Sequence, residues 1–172
     1  MTETPLPTGT EGHAADAPFH ILLVEDDAAD AGLVRRALRR GAHPYQVGHV
    51  RDGAEAMDYL TRRGDRFLDA PRPDLVLLDL NMPRVDGRET LRRIRAMPEL
   101  HGLPVVVLTT SEVERDIEDS YRLGANSYVT KPMDVHAFFA AVARIGDTWF
   151  AARHHGRGVE ETMPSSGGHR DE

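Results

Sequence analysis

The sequence predicts a doubly wound α/β sandwich built on a five-stranded parallel sheet. Three observations predict it. Short apolar runs alternate five times with longer amphipathic stretches. Three of those runs are apolar at nearly every position, as strands covered on both faces of a parallel sheet must be. No internal repeat or low-complexity block breaks the alternation, so five βα units in a row follow.

The strand candidates, in order, are HILLVE at 20–25, YQVGHV at 45–50, DLVLLDL at 74–80, PVVVLT at 104–109 and NSYVT at 126–130. The first, third and fourth carry the buried-strand pattern; the second and fifth carry it less strongly. Helical spacing follows each run: Leu33, Val34, Ala37 and Leu38; Ala54, Met57 and Leu60; Leu91, Ile94 and Met97; Val113, Ile117 and Leu123; Phe138, Val142, Ile145 and Trp149. Each set is one stripe of a 3.6-residue period and is expected to face the core.

The two ends read differently. Residues 1–18 and 151–172 are poor in large apolar groups and rich in Gly, Pro, Ser, Thr and charge, the composition of solvated tails. The expected organisation is therefore tail 1–18, one domain 19–150 and tail 151–172. The 172 residues suit one domain with a normal core. His154 and His155 read as tail rather than as a metal site.

Charge and composition exclude several functions. A formal net charge of −7 disfavours nonspecific attraction to nucleic acid or an anionic membrane, and the paired arginines at 35–36, 39–40 and 92–93 read as solvated helix faces. With no cysteine, disulfides, thiolate metal sites and a cysteine nucleophile are excluded together. No apolar run reaches the roughly 18 residues of a membrane span, and the N-terminus lacks the basic-then-apolar pattern of an export signal, so a cytoplasmic location is expected.

Ligands of a doubly wound sheet sit beyond the carboxyl ends of its strands, and those ends are polar here. The first finishes in Glu25, Asp26 and Asp27, the third in Asp79 followed by Leu80 and Asn81, the fourth in Thr109, Thr110 and Ser111, and the fifth in Lys131. Crowded carboxylates repel unless a cation compensates. Mg²⁺ suits them, with Glu25, Asp26, Asp79 and the backbone carbonyl of Asn81 as its protein ligands. A carboxylate can also attack phosphorus, and Asp79, at the end of the central strand, is the expected nucleophile. Thr109 and Lys131 would hold the phosphoryl oxygens. Lys131 is the one lysine among 21 basic Lys and Arg residues, and a compact ammonium on a long stem fits where a planar guanidinium would need more width. Capping explains the rest: one of the first three acids, Asp86 and Ser111 are expected at helix N-termini.

LLVEDD, LVLLDLNMPRVDG, VVVLTTS and SYVTKP, in this order, resemble the receiver domain of two-component response regulators, with the likeness running from about His20 to Trp149. The resemblance implies a (βα)5 flavodoxin-like fold and a phosphoprotein that takes a phosphoryl group from a sensor histidine kinase. By motif position, Glu25 and Asp26 match the acid pair, Asp79 the phosphorylated aspartate, Asn81 the carbonyl metal ligand, Thr109 the switch hydroxyl, Tyr128 the switch aromatic and Lys131 the phosphate-binding lysine. It further implies a cis Lys131–Pro132 bond. The stretch from Leu108 to Phe139 looks like stand-alone regulators of phytochrome-type kinases, and no effector-sized segment follows it. Signalling is then expected through a surface of the fourth helix, fifth strand and fifth helix, on another molecule or by homodimerisation. A haloacid-dehalogenase-like phosphatase would need a second Asp where Asn81 stands, and a pseudo-receiver would not need the full set of site residues.

Overall fold

The computed structural model describes residues 18–82, 85–110 and 113–155. Five strands, β1 (Phe19–Val24), β2 (Tyr45–Val50), β3 (Leu75–Leu78), β4 (Val105–Thr109) and β5 (Ser127–Thr130), form one parallel sheet in the order β2-β1-β3-β4-β5. Five helices follow them: α1 (Ala28–Arg39), α2 (Gly53–Thr61), α3 (Gly87–Ala96), α4 (Glu114–Arg122) and α5 (Val135–His155). This is the predicted doubly wound architecture, and the strand order is the flavodoxin-like one.

Alternate residues of each central strand feed opposite layers. Leu22 and Val24 of β1 pack with Val76 and Leu78 of β3 beneath α2 and α3, where Leu91 and Ile94 close the layer. Ile21 and Leu23 pack with Leu75 and Leu77 beneath α1 and α5, against Val34, Leu38, Phe138 and Val142. Both faces are covered, so the run must be apolar throughout. Each fully buried side chain of this kind contributes about 1.5–3 kcal/mol. The second and fifth runs read weakly because β2 and β5 are the sheet edges, where most residues stay half-buried.

Helix entry is set by aspartates at the strand ends. Asp27 accepts from the Ala29 and Asp30 amides, Asp52 from the Glu55 amide and Asp86 from the Glu89 amide. Of the three acids after β1, Asp27 is thus the cap, as is Asp86 for α3. Ser111 lies outside the described residues; α4 is preceded by Val113, which offers no side-chain cap.

One stripe residue needs correction. Val113 does not join the apolar stripe of its helix: it is 59% exposed, because it precedes the first helical turn and points away from the sheet. In α2, Met57 and Leu60 pack against the core as expected, beside the buried Gly53 and Ala56. The C-terminal boundary also shifts. Helix α5 continues to His155, past the expected limit of 150, and Phe150 stacks on His43 with centroids 3.8 Å apart. Arg153 bonds Asp74 at 2.9 Å. Contacts to the α1–β2 turn and to the start of β3 hold this last turn, which composition alone reads as tail. Among the described residues, no helix is long and apolar enough to cross a membrane.

Candidate phosphoryl-acceptor and metal site

Parallel strands deliver their carboxyl ends to one edge, and the polar residues meet there. Glu25 follows β1 and is 2% exposed; Asp79 follows β3 and is 7% exposed. Glu25, Asp26 and Asp79 each bring a carboxylate oxygen within 4.8 Å of the others, with Asp26 on the solvent side. Three hard oxygen donors at that spacing fit a divalent cation such as Mg²⁺ or Mn²⁺, which prefers carboxylate, carbonyl and water ligands.

Lys131, directly after β5, points into the same cluster. Its Nζ donates to Glu25 Oε2 at 2.7 Å, to Asp30 Oδ2 at 3.0 Å and to Asp79 Oδ2 at 3.4 Å. Burial by itself would lower the pKa of this ammonium. The hydrogen bond and charge of Glu25, then Asp79 and Asp30, win and hold it above its ordinary value. For Glu25, burial is the largest influence and the neighbouring Asp79 adds to it; the Lys131 contact and the Asp27 amide oppose both, and the carboxyl is pushed up to about 7.

Asn81 ties the acids to β4. Its amide N–H donates to Asp79 Oδ1 at 3.1 Å, and its side-chain amide reaches Thr109 Oγ1 at 3.4 Å. Thr109 is fully buried at the end of β4. Tyr128 lies on β5 opposite Val107, partly buried against the layer beneath α2 and α3. Gly87 permits the close approach behind Asp79: a Cβ there would stand 2.3 Å from the Asp79 carbonyl oxygen.

The expected cis bond is corrected. Among the described residues there is no cis peptide, so Lys131–Pro132 is trans. Proline lowers the cost of cis to about 0.5–1 kcal/mol, so the dipeptide alone fixes neither isomer.

Two neighbours of the site escaped the sequence reading. Asp30 lies in the first turn of α1, which Asp27 caps, and the sequence does not distinguish it from an ordinary first-turn acid. His49, whose Nε2 lies 2.8 Å from the Glu25 carbonyl oxygen, comes from β2, and only the pairing of β1 with β2 brings it there.

Residues 21–143 match the model of the response regulator receiver domain. The chain belongs to this family. As a receiver domain it is 43% identical over 135 residues to the response regulator Rcp1 of Synechocystis sp., a match covering 78% of this chain and 91% of that protein. Among solved structures it is similar to the phosphorylated cyanobacterial phytochrome response regulator RcpA, at 46% identity and a TM-score of 0.75, over 79% of this chain and 96% of that one. The Mn²⁺-bound form of Rcp1 gives 44% identity and a TM-score of 0.72, over 77% and 95% of the two chains. The family is one of signalling proteins in two-component systems.

Proposed function

We propose that this receiver accepts a phosphoryl group on Asp79 from the phosphohistidine of a sensor kinase and signals through the surface made by α4, β5 and α5. The observation that carries this reading is the buried ammonium of Lys131 within 3.4 Å of Asp79 Oδ2, opposite a carboxylate set suited to a divalent cation.

In this reading Glu25, Asp26, Asp79 and the Asn81 carbonyl would hold Mg²⁺, which would supply charge neutralisation for the transferring phosphoryl. An Asp79 oxygen attacks phosphorus in line, the P–N bond to the kinase histidine breaks as the O–P bond forms, and the imidazole leaves with its electron pair. Lys131 and Thr109 bind the phosphoryl oxygens. Thr109, drawn toward them, vacates space into which Tyr128 turns, and the new packing biases a two-state surface. Turnover of a separate substrate is not part of this role. The reaction is one transfer, followed by slow self-catalysed loss of the group.

Tyr121 of α4, Met133 of the β5–α5 connection and Val135 at the start of α5 are exposed apolar side chains, which supports that face as the docking or homodimer surface. A phytochrome-type histidine kinase is the proposed donor, on the likeness to Rcp1 and RcpA. Such a kinase charges its histidine from ATP, which places the exchange in the cytoplasm. The domain organisation proposed is one receiver domain; residues 1–17 and 156–172 of the expected tails lie outside the described residues.

Incubation with acetyl phosphate and Mg²⁺ tests the acceptor. Wild type is expected to gain one acid-stable, base-labile phosphoryl group and Asp79→Asn none; equal labelling of both would overturn the assignment. Sedimentation with and without phosphodonor tests the dimer, which a monomer in both conditions would remove.

A further inference from the structure

One ammonium serves three carboxylates in this site, and only two of them belong to the cation set. Glu25 and Asp79 are both partners of Lys131 and members of the oxygen cluster; Asp30 is a partner of Lys131 alone. Both Glu25 oxygens already accept a hydrogen bond, Oε1 from the Asp27 amide and Oε2 from Lys131. A cation held by Glu25 and Asp79 would therefore compete with the ammonium for the negative charge of the same two carboxylates. The Lys131 side chain is 6% exposed, so it cannot exchange lost partners for bulk water.

We propose that Asp30 is the positioning residue of Lys131, holding the ammonium toward the acceptor oxygens of Asp79 while Glu25 and Asp79 serve the divalent cation. This rests on Asp79 being the acceptor. Asp30 suits the task because its backbone is fixed in the capped first turn of α1, where its amide donates to Asp27 Oδ1 at 3.0 Å. From there its carboxylate spans to Lys131, 101 residues away in sequence, at 3.0 Å. Its carboxylate is not among the three whose oxygens lie within 4.8 Å of one another, and its side chain is 36% exposed at the rim of the cluster.

A fourth carboxylate in the site has two effects of opposite sign. As bare charge it repels an incoming phosphoryl dianion, and removing it would speed transfer. As an anchor for the ammonium it lowers the barrier, and removing it slows transfer. The 3.0 Å charge-assisted hydrogen bond to a buried donor decides for the anchor.

The experiment uses the full chain with saturating Mg²⁺ and acetyl phosphate, in wild type, Asp30→Asn, Asp30→Glu and Asp79→Asn. Asp30→Asn is expected to slow labelling on the order of tenfold, less than the hundredfold that a 1 Å misplacement can cost. Asp30→Glu recovers a large part of the loss. Mn²⁺ titration is expected to change much less than the transfer rate. Lys131 is the one lysine of the chain, so its side-chain ammonium gives a unique ¹⁵N signal. That signal is expected to be slowly exchanging in Mg²⁺-loaded wild type and broadened in Asp30→Asn. Labelling of Asp30→Asn at or above the wild-type rate, or an unchanged ammonium signal, overturns the inference. A wild type that takes no label, or an Asp79→Asn that takes it equally, overturns the acceptor reading instead, and the ammonium signal still decides whether Asp30 holds Lys131.

Discussion

Lys131 Nζ lies 2.7 Å from Glu25 Oε2, joining the end of the last strand to the end of the first across 106 positions of sequence. Both side chains are almost wholly withdrawn from solvent, at 6% and 3% exposure. This contact balances charge within the acid cluster.

Lys131→Met leaves Glu25 and Asp79 together without their ammonium. Breaking a buried pair from one side costs about 3 kcal/mol or more, moderated here by protonation of Glu25. Urea unfolding in EDTA should show that loss. Adding Mg²⁺ should then stabilise the variant, by about 2.7 kcal/mol at a hundredfold excess over its dissociation constant. An unaltered midpoint in EDTA would mean that the lysine does not balance the acids.

Gly87→Ala should damage the site from behind. The added Cβ would stand 2.3 Å from the Asp79 carbonyl oxygen and 2.6 Å from Leu80 Cα, both backbone atoms with little freedom to move. Overpacking of this kind costs about 1–3 kcal/mol. A lower melting temperature and slower labelling of Asp79 are expected together; wild-type values for both would show that the strand end can shift freely.

Thr109→Ala separates acceptance from signalling. The hydroxyl is buried and, among the described residues, meets the Asn81 side-chain amide at 3.4 Å, so its removal should change stability by about 1 kcal/mol or less. Labelling should persist, while the phosphorylation-dependent amide shifts on α4, β5 and α5 disappear from the NMR spectrum. Retained shifts would remove Thr109 from the switch.

Tyr45 supplies a pH test remote from the site. Burial, then its hydrogen bond to Asp147 at 2.8 Å and that carboxylate's charge, raise the phenol's pKa above its ordinary value. The folded state therefore keeps a proton that the unfolded chain begins to lose near pH 10. This contribution to stability is fully present below about pH 10 and declines as pH rises from there toward the folded-state value. Tyr45→Phe should cost about 1 kcal/mol at pH 7. The variant should also show a flatter decline in stability at alkaline pH, measured by urea unfolding; parallel pH profiles would place the effect elsewhere.

Much of the molecule was legible because parallel sheets encode themselves locally. β1, β3 and β4 are apolar at every second position twice over, once for each face, and the polar residue that ends each run marks the edge where ligands bind. The acids at 25, 26 and 79, Thr109 and Lys131 could be named from that rule, since a strand's carboxyl end is a property of the strand. Asp30 could not be placed in the same way. It lies within a helix that reads as an ordinary amphipathic one, and it meets Lys131 only because α1 and β5 flank the same edge of the sheet.

What the sequence by itself determined is the set of elements, their order and the chemical identity of the groups at the strand ends, because periodicity and residue type are local quantities. Tertiary structure alone decided which of those groups share a proton donor: that Lys131 divides its ammonium among Glu25, Asp30 and Asp79, that His49 backs Glu25, and that α5 runs on to His155 against Phe19 and His43. Those are distances between residues far apart in the chain. Only the packing of helices on an open parallel sheet sets them.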